Sequence, residues 1–510
     1  MPDKLPTVLE NITAGRRAHL PEIQAQVADV DVDALPRSTR SLYDVLRGTE
    51  EFRTVSGNAG RGRAGREGRH FIMECKSASP SLGMIRPSYD PSAIARIYSR
   101  YAVGISVLCE PDYFGGSYAH LAAVRANTHL PVLCKDFIVD RAQVIAARYY
   151  GADAILLMLS IVTDEEYTEL SELASSLGLD VITEVITEEE VARATRLGAK
   201  IFGINHRNLH DLSIDLSRSA RLEALIPSDA VVISESGVRN HATVRELSGH
   251  SDGFLVGSQL TSQPDVDVAA RELVYGPNKV CGLRTITEAQ LARAAGAVYG
   301  GLIFEEASPR NVSRETATEI IQETPHLRFV AVSRRTSGWE ELAALGVHAV
   351  QIHAPYQGSV DAELALVESV RASVPEGTEV WRAVSMTNVD GPAVAEALAG
   401  QGIVDKLILD SGDGGTGQTF DWDAIPDSVK QISLLAGGIN AATVRAAKDT
   451  GVLGVDLNSG LEYGAWDIDA PQPGPGGQRT STKEHPGATN WSGYKDPGQV
   501  VRALEEARLA

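Results

Sequence analysis

One rhythm constrains this chain more than any other feature, and it runs along the sequence twice. Short β-branched apolar runs alternate with longer Ala- and Glu-rich amphipathic stretches, the signature of βα units around a parallel sheet. The first half holds eight such runs: HFIMECK (70–76), GISVLCE (104–110), PVLCKDF (131–137), AILLMLS (154–160), DVITEV (180–185), IFGINHR (201–207), VVISESG (231–237) and GFLVGSQ (253–259). The second half holds eight more: KVCGL (279–283), VYGGLIF (298–304), RFVAVS (328–333), AVQIHA (349–354), EVWRAVS (379–385), DKLILD (405–410), SLLAGG (433–438) and VDLNSG (455–460). Eight and eight closes two barrels, whereas a doubly wound open sheet would usually stop at about five to seven strands. The length of 510 residues agrees, since about 250 residues make one such barrel. The expected fold is α/β: two fused (β/α)8 TIM barrels, the first preceded by a helical extension. The expected domains are 1–273, a linker at 274–278 where Gly and Pro precede a new strand, and 279–510.

Composition bounds the function. A net charge of −20 argues against a general nucleic-acid partner, which would need a basic surface. The four cysteines show no metal-ligand spacing and follow no signal peptide, so reduced thiols in a cytoplasmic protein are expected. No apolar run approaches the roughly 18 residues of a membrane span, and the histidines form no ligand pattern. A cytoplasmic enzyme without metal or cofactor is therefore the expectation, and two barrels fused in cis make a monomer the simplest assembly. Two biased stretches stand outside the rhythm. GNAGRGRAGREGR (57–69) has the composition of an RNA-contacting tract but lacks aromatic stacking partners, so a loop before the first strand is the preferred reading. The Pro/Gly/Thr-rich stretch 465–492 lies beyond the last strand and reads as a loop or lid.

Strand ends and the loops after them form the catalytic face of a barrel. In the first half, Lys76, Lys135 and Glu184 end apolar strands, with Glu74, Asn205, Arg207 and Glu235 also at strand ends. Any one of them alone could be half of a structural Lys–Glu pair, because an unpaired charge there is costly. Together they favour a site that binds an acidic substrate and exchanges protons with it. Ser236-Gly237 and Gly257-Ser258 end strands seven and eight, the place where many barrels hold phosphate on backbone N–H groups. In the second half, Cys281 ends the first strand and Asp410 the sixth. A strand cysteine is most often plain packing and Asp410 could be a turn residue, but the two suggest a base and an acid facing across a barrel. LAGGIN (435–440) and DLNSG (456–460) repeat the phosphate signal.

The strand-end motifs also carry a specific resemblance. ECKSASPSLG (74–83), LCKDFIVD (133–140), ITEV (182–185), GINHRNL (203–209) and SESG (234–237) resemble, in order and spacing, the motifs of indole-3-glycerol-phosphate synthase over about residues 5 to 273. That family closes an indole ring on carboxyphenylamino-deoxyribulose phosphate (CdRP) with loss of carbon dioxide and water. The resemblance implies Lys135 as general acid on the ketone oxygen. It implies Lys76 as holder of the substrate carboxylate and a participant in proton transfer, and Glu184 as acid or base in the dehydration. Glu74, Asn205 and Glu235 would orient, and Ser79, Ser236, Gly237, Gly257 and Ser258 would hold phosphate. His206 departs from the small polar residue more usual in the family, a change expected to be tolerated.

KVCGL, GLIFEEASPRNV (301–312), AVQIHA, GGTGQTFDW (414–422), LAGGIN and NSGLE resemble phosphoribosylanthranilate isomerase over roughly 279 to 505. That family performs an Amadori rearrangement, and its product is the synthase's substrate. The resemblance implies Cys281 as the base at C2, Asp410 as the acid on the ring oxygen, and Arg310 against the anthranilate carboxylate. His353 would line the substrate site, and Gly437, Gly438, Asn458 and Ser459 would serve the phosphate. Three departures stand out: Ala354 after His353 where the family has glycine, Ser333-Arg334 where an aromatic is usual, and the 465–492 insertion. The rival readings are a second barrel acting on a different sugar phosphate, or a catalytically dead barrel kept as a binding module.

Overall fold

Parallel strands bury both faces, so they read as unbroken apolar runs rather than alternating ones. A computed structural model of the chain describes residues 7–48, 70–209, 211–412, 420–463 and 493–509. The tract 57–69, the stretch 465–492 and residues 413–419 of the loop after Asp410 lie outside the described residues. Eight parallel strands close the first barrel: β1 (His70–Cys75), β2 (Gly104–Leu108), β3 (Val132–Lys135), β4 (Ala154–Met158), β5 (Asp180–Val185), β6 (Ile201–Asn205), β7 (Val231–Glu235) and β8 (Gly253–Val256). Closure is direct, since β1 pairs with β8 through Phe71 and Phe254 and with β2 through Met73 and Ile105. Eight more close the second: β9 (Lys279–Cys281), β10 (Tyr299–Ile303), β11 (Arg328–Ser333), β12 (Ala349–Ile352), β13 (Glu379–Ser385), β14 (Lys406–Asp410), β15 (Ser433–Leu435) and β16 (Gly454–Leu457). There Lys279 pairs with both Tyr299 and Asp456.

Several apolar runs outlast the strands they seed. GFLVGSQ leaves the ladder after Val256 and SLLAGG after Leu435, because the chain turns at those points. Gly437 and Gly438 both take left-handed backbone, φ 86° and 67°, which a strand cannot contain. Helices between strands start on side-chain caps. Thr163 with Glu166 and Thr285 with Glu288 form capping boxes, satisfying N–H groups that a helix start leaves open.

The chain divides into two compact units, Met1–Ala270 and Arg271–Ala510. The helix Val266–Tyr275 crosses that division, so residues 274 and 275 of the linker read from the sequence lie in helix. Among the described residues no helix is long and apolar enough to cross a membrane. The four cysteines are buried and unbridged.

The N-terminal extension works at both ends of the first barrel. Helix α3 (Leu42–Arg47) packs at the strands' N-terminal ends, where a Cβ on Gly104 would come within 2.8 Å of Leu42 Cδ1. Helix α1 (Val8–Ala18) reaches the opposite end. Its Arg16 donates from Nε to Asp136 Oδ1 at 2.8 Å and from Nη2 to Oδ2 at 2.5 Å, and the Tyr118 hydroxyl donates to the same carboxylate at 3.0 Å. Arg16 and Asp136 are both buried. Burial alone would lower the guanidinium's pKa, but Asp136 more than reverses this and raises it. Removing one member of such a pair leaves the other charge buried without its partner. Arg16→Ala should therefore cost about 3 kcal/mol, read as a lower urea midpoint for the first unit. An unchanged midpoint would show that helix α1 is not anchored by this pair.

Candidate active sites

Polar ends on apolar strands bring the first site together. The C-terminal ends of β1, β3, β5, β6 and β7 deliver Glu74 and Lys76, Lys135, Glu184, Asn205 and Glu235 around one cavity of about 470 Å³. Lys76 Nζ stands 2.5 Å from Glu74 Oε1, and Lys135 Nζ lies 2.8 Å from Glu235 Oε2 and 3.5 Å from Glu74 Oε2. Two carboxylates and two ammonium groups thus alternate across the barrel floor. Burial works against the Lys135 cation, but Glu235, Glu74 and Glu184 overcome it and hold its pKa well above the usual ammonium range. Burial likewise opposes the Glu74 carboxylate, and Lys76 and Lys135 win, lowering its pKa. Glu184 differs: burial, reinforced by Glu235 and only partly offset by Lys135 and a hydrogen bond from Asn205, pushes it up to about 8. At neutral pH the site therefore holds one carboxyl that keeps its proton, Glu184, beside one that does not, Glu74, the arrangement that separates acid from base roles.

Every residue expected in this site lines the cavity except Glu235, which is wholly buried behind Lys135. Close packing fixes the carboxylates of Glu235 and Glu74. A Cβ on Gly203 would sit 2.3 Å from Glu235 Oε1, and one on Gly257 the same distance from Glu74 Oε1. Gly257 thus makes room for Glu74 besides standing in the expected phosphate loop. Ser79 spends its hydroxyl locally, accepting from Leu82 N–H at 3.3 Å within the antiparallel turn Ala78–Ser79/Gly83–Met84. Ser236 and Gly237 both take left-handed backbone, φ 65° and 78°. Residues that sequence reasoning missed form the wall. Phe114, Phe137, Leu156, Met158, Leu209 and Leu212 supply an apolar surface, and Arg239 a second guanidinium beside Arg207. Burial and the charge of Arg239 lower the pKa of Arg207. Arg239, three residues beyond Ser236, was the one with a readable signal. The apolar wall had none, since its members look like core.

In the second barrel Asp410 and His353 share a cavity of about 300 Å³ with Arg334, Tyr356, Arg382 and Ser385. The Asp410 carboxylate accepts from Ser411 N–H at 2.7 Å, yet burial outweighs this and raises it to about 6. Cys281 does not line that cavity. Lys279 links the two, since its charge acts on both Cys281 and Asp410. Its Nζ donates to Asp456 Oδ2 at 2.7 Å and to Gln351 Oε1 at 2.8 Å. Burial raises the Cys281 thiol's pKa, and Lys279 and Lys495 offset this only in part.

Cys281's neighbours cluster on Lys495, which donates to Asn458 Oδ1 at 2.9 Å and to Glu462 Oε1 at 3.1 Å. A Cβ on Gly282 would meet Arg310 Cδ at 2.8 Å, Asn458 Oδ1 at 2.9 Å and Lys495 Nζ at 3.3 Å. Arg310, expected against a substrate carboxylate, already holds one. Its Nε lies 2.5 Å from Glu462 Oε1 and its Nη2 3.1 Å from Oε2. Ser459 opens the short 3-10 turn after Asn458, and Gly437 and Gly438 form the neighbouring left-handed turn.

Two departures have visible accommodation. Ala354 packs in the core, and its carbonyl accepts from Arg382 Nη1 at 2.8 Å, with Arg382 also paired to Glu363. The Ser333 hydroxyl donates to Glu305 at 2.7 Å. Lys495 and Glu462 were missed as partners because 33 residues separate them in sequence.

Two family profiles match successive parts of the chain. Residues 9–273 match the family profile of indole-3-glycerol phosphate synthase, and residues 278–469 that of N-(5'-phosphoribosyl)anthranilate (PRA) isomerase. The tryptophan biosynthesis protein TrpCF of Corynebacterium glutamicum is 61% identical, covering 98% of this chain and 97% of that protein. The TrpCF protein of Salmonella typhi is 44% identical over 83% of this chain and 88% of its own length. That of Yersinia pestis is 41% identical over 90% and 91%. The chain belongs to the indole-3-glycerol phosphate synthase family through its first barrel, to the PRA isomerase family through its second, and as a whole with the TrpCF tryptophan biosynthesis proteins.

Proposed function

We propose that the chain catalyses two consecutive steps of tryptophan biosynthesis, with residues 279–510 making CdRP and residues 1–273 consuming it. The observation that carries this is the alternating lysine–carboxylate floor of the first cavity, with a protonated Glu184 beside an ionised pair. Lys76 holds the substrate carboxylate next to Glu74. Lys135 protonates the ketone oxygen as the ring carbon that bears the carboxylate attacks C2', and that ring carbon then loses its carboxylate as carbon dioxide. Glu184 then gives its proton to the departing hydroxyl, and a proton lost from the new ring completes the indole. Asn205 and Glu235 orient these groups. The apolar wall from Phe114 to Leu212 takes the anthranilate ring, and Arg207 serves its charged edge. The phosphate rests on Ser79, Ser236, Gly237, Gly257 and Ser258, where left-handed turns and a helix start leave N–H groups for an anion.

In the second barrel Asp410, which burial keeps partly protonated near neutrality, delivers its proton to the ribose ring oxygen, opening the sugar to an iminium. The Cys281 thiolate removes the C2 proton, and the resulting enolamine tautomerises to the ketone of CdRP. Arg310 exchanges Glu462 for the substrate carboxylate, His353 lines the sugar site, and Gly437, Gly438, Asn458 and Ser459 hold the phosphate. The substrates are small phosphorylated anthranilate derivatives, handled by a monomeric cytoplasmic enzyme with no cofactor and no nucleic-acid partner.

Supplying phosphoribosylanthranilate to the purified protein and following CdRP and indole-glycerol phosphate by mass spectrometry tests the whole reading. If CdRP is consumed when supplied but never formed, the second barrel's assignment fails. Lys135→Ala should cut synthase turnover by about 10²–10⁴-fold and leave the isomerase untouched, while Cys281→Ala does the reverse. Loss of both activities from either change would overturn the two-site assignment.

The isomerase pH profile is set by the same acid and base. Catalysis needs Asp410 protonated and Cys281 ionised, but burial places the thiol's pKa above the carboxyl's value of about 6. The productive form is then a minor but constant share of the singly protonated pair, which is abundant only between the two pKa values. Isomerase kcat/KM should hold level above about pH 6 and fall about tenfold per unit below it. A rate that instead climbs as pH drops through 6 would exclude this pairing.

A further inference from the structure

His206 departs from the residue more usual at its place, and its surroundings give that departure a role. The side chain is fully buried, yet both ring nitrogens are bonded. Nδ1 lies 2.9 Å from the carbonyl oxygen of Ser236, and Nε2 lies 2.7 Å from Ser219 Oγ. Ser219 Oγ is 2.7 Å from Ser234 Oγ, which is 2.5 Å from Ser251 Oγ, and all three serines are buried. Direction along this chain is forced. A carbonyl only accepts, so Nδ1 carries the proton. Burial lowers the imidazole's pKa, outweighing the Ser236 hydrogen bond, which leaves Nε2 bare to accept from Ser219. Ser219 in turn accepts from Ser234, and Ser234 from Ser251.

The far end of this relay is the loop assigned above to the substrate phosphate. Ser236 is a non-glycine residue in left-handed backbone, a conformation that persists only when its surroundings hold it. In a trans peptide the carbonyl of one residue and the N–H of the next point in opposite directions. Drawing the Ser236 carbonyl onto the imidazole turns the Gly237 N–H the other way, and both residues line the cavity. We infer that His206 is a positioning residue of the synthase barrel, which aims the Ser236–Gly237 peptide at the phosphate of the substrate. The inference rests on the synthase reading. His206 touches no substrate and acts through Ser236.

The test is steady-state CdRP turnover by the full-length protein, with inorganic phosphate as a competing ligand. His206→Ala leaves the Ser236 carbonyl without its donor and should raise KM for CdRP about tenfold, with the phosphate inhibition constant rising alongside and kcat nearly unchanged. His206→Asn should restore most of the loss, because its amide nitrogen stands where Nδ1 stands, one bond beyond Cγ. Isomerase kinetics should not move in either variant. Unchanged KM and phosphate inhibition in His206→Ala would overturn the proposal, as would a fall confined to kcat that His206→Asn does not repair. If His206→Ala does not fold, Ser219→Ala carries the test with an expected KM rise of about threefold, and wild-type values there overturn it. A wild-type protein that leaves CdRP untouched would instead sink the synthase reading itself.

Discussion

Closing a parallel sheet on itself is the constraint on which everything else in this protein depends. A closed ladder has no edges, satisfies every interior strand through its neighbours and sends all C-terminal strand ends to one face. Once β1 pairs with both β2 and β8, and β9 with both β10 and β16, charged residues far apart in sequence must meet. Glu74 and Glu235 lie 161 positions apart in the chain, yet a carboxylate oxygen of each falls within 3.5 Å of the Lys135 nitrogen. In a sheet that left one face in water, such pairs would be screened and worth little.

The two barrels solve one electrostatic problem differently. In the first, cations and anions alternate and nearly cancel, and Glu184 is left over as the carboxyl that burial keeps protonated. In the second, Lys279 and Asp456 form one buried pair, with Cys281 and Asp410 both within reach of its charge. A buried pair of this kind is weak evidence for stability, since desolvation consumes most of its attraction. Its consequence is a local field that sets which neighbour holds a proton. The Glu462–Arg310 pair adds another feature: a substrate carboxylate would compete with a carboxylate already in place.

Glycine enters both sites less as a flexible residue than as missing volume. Gly203 and Gly257 leave space for Glu235 and Glu74, Gly282 for Arg310 and Lys495, and Gly301 for Cys281, whose Sγ would lie 2.6 Å from a Cβ there. Such positions couple strand packing to site geometry, so an alanine there would overpack and displace a site side chain.

The sequence by itself determined the architecture: sixteen apolar runs became the sixteen strands of the two barrels, because in a parallel barrel burial on both faces is written as continuous hydrophobicity. It also placed Lys76, Lys135, Glu184 and Asp410 at strand ends, where the structure has them lining cavities. Only the tertiary structure decided which charges meet and which way protons lean. The rise of Glu184 and Cys281, the capture of Arg310 by Glu462 and the bonding of His206 to Ser236 all depend on neighbours from other strands. A pKa is a property of distances and burial, and a local sequence pattern carries neither.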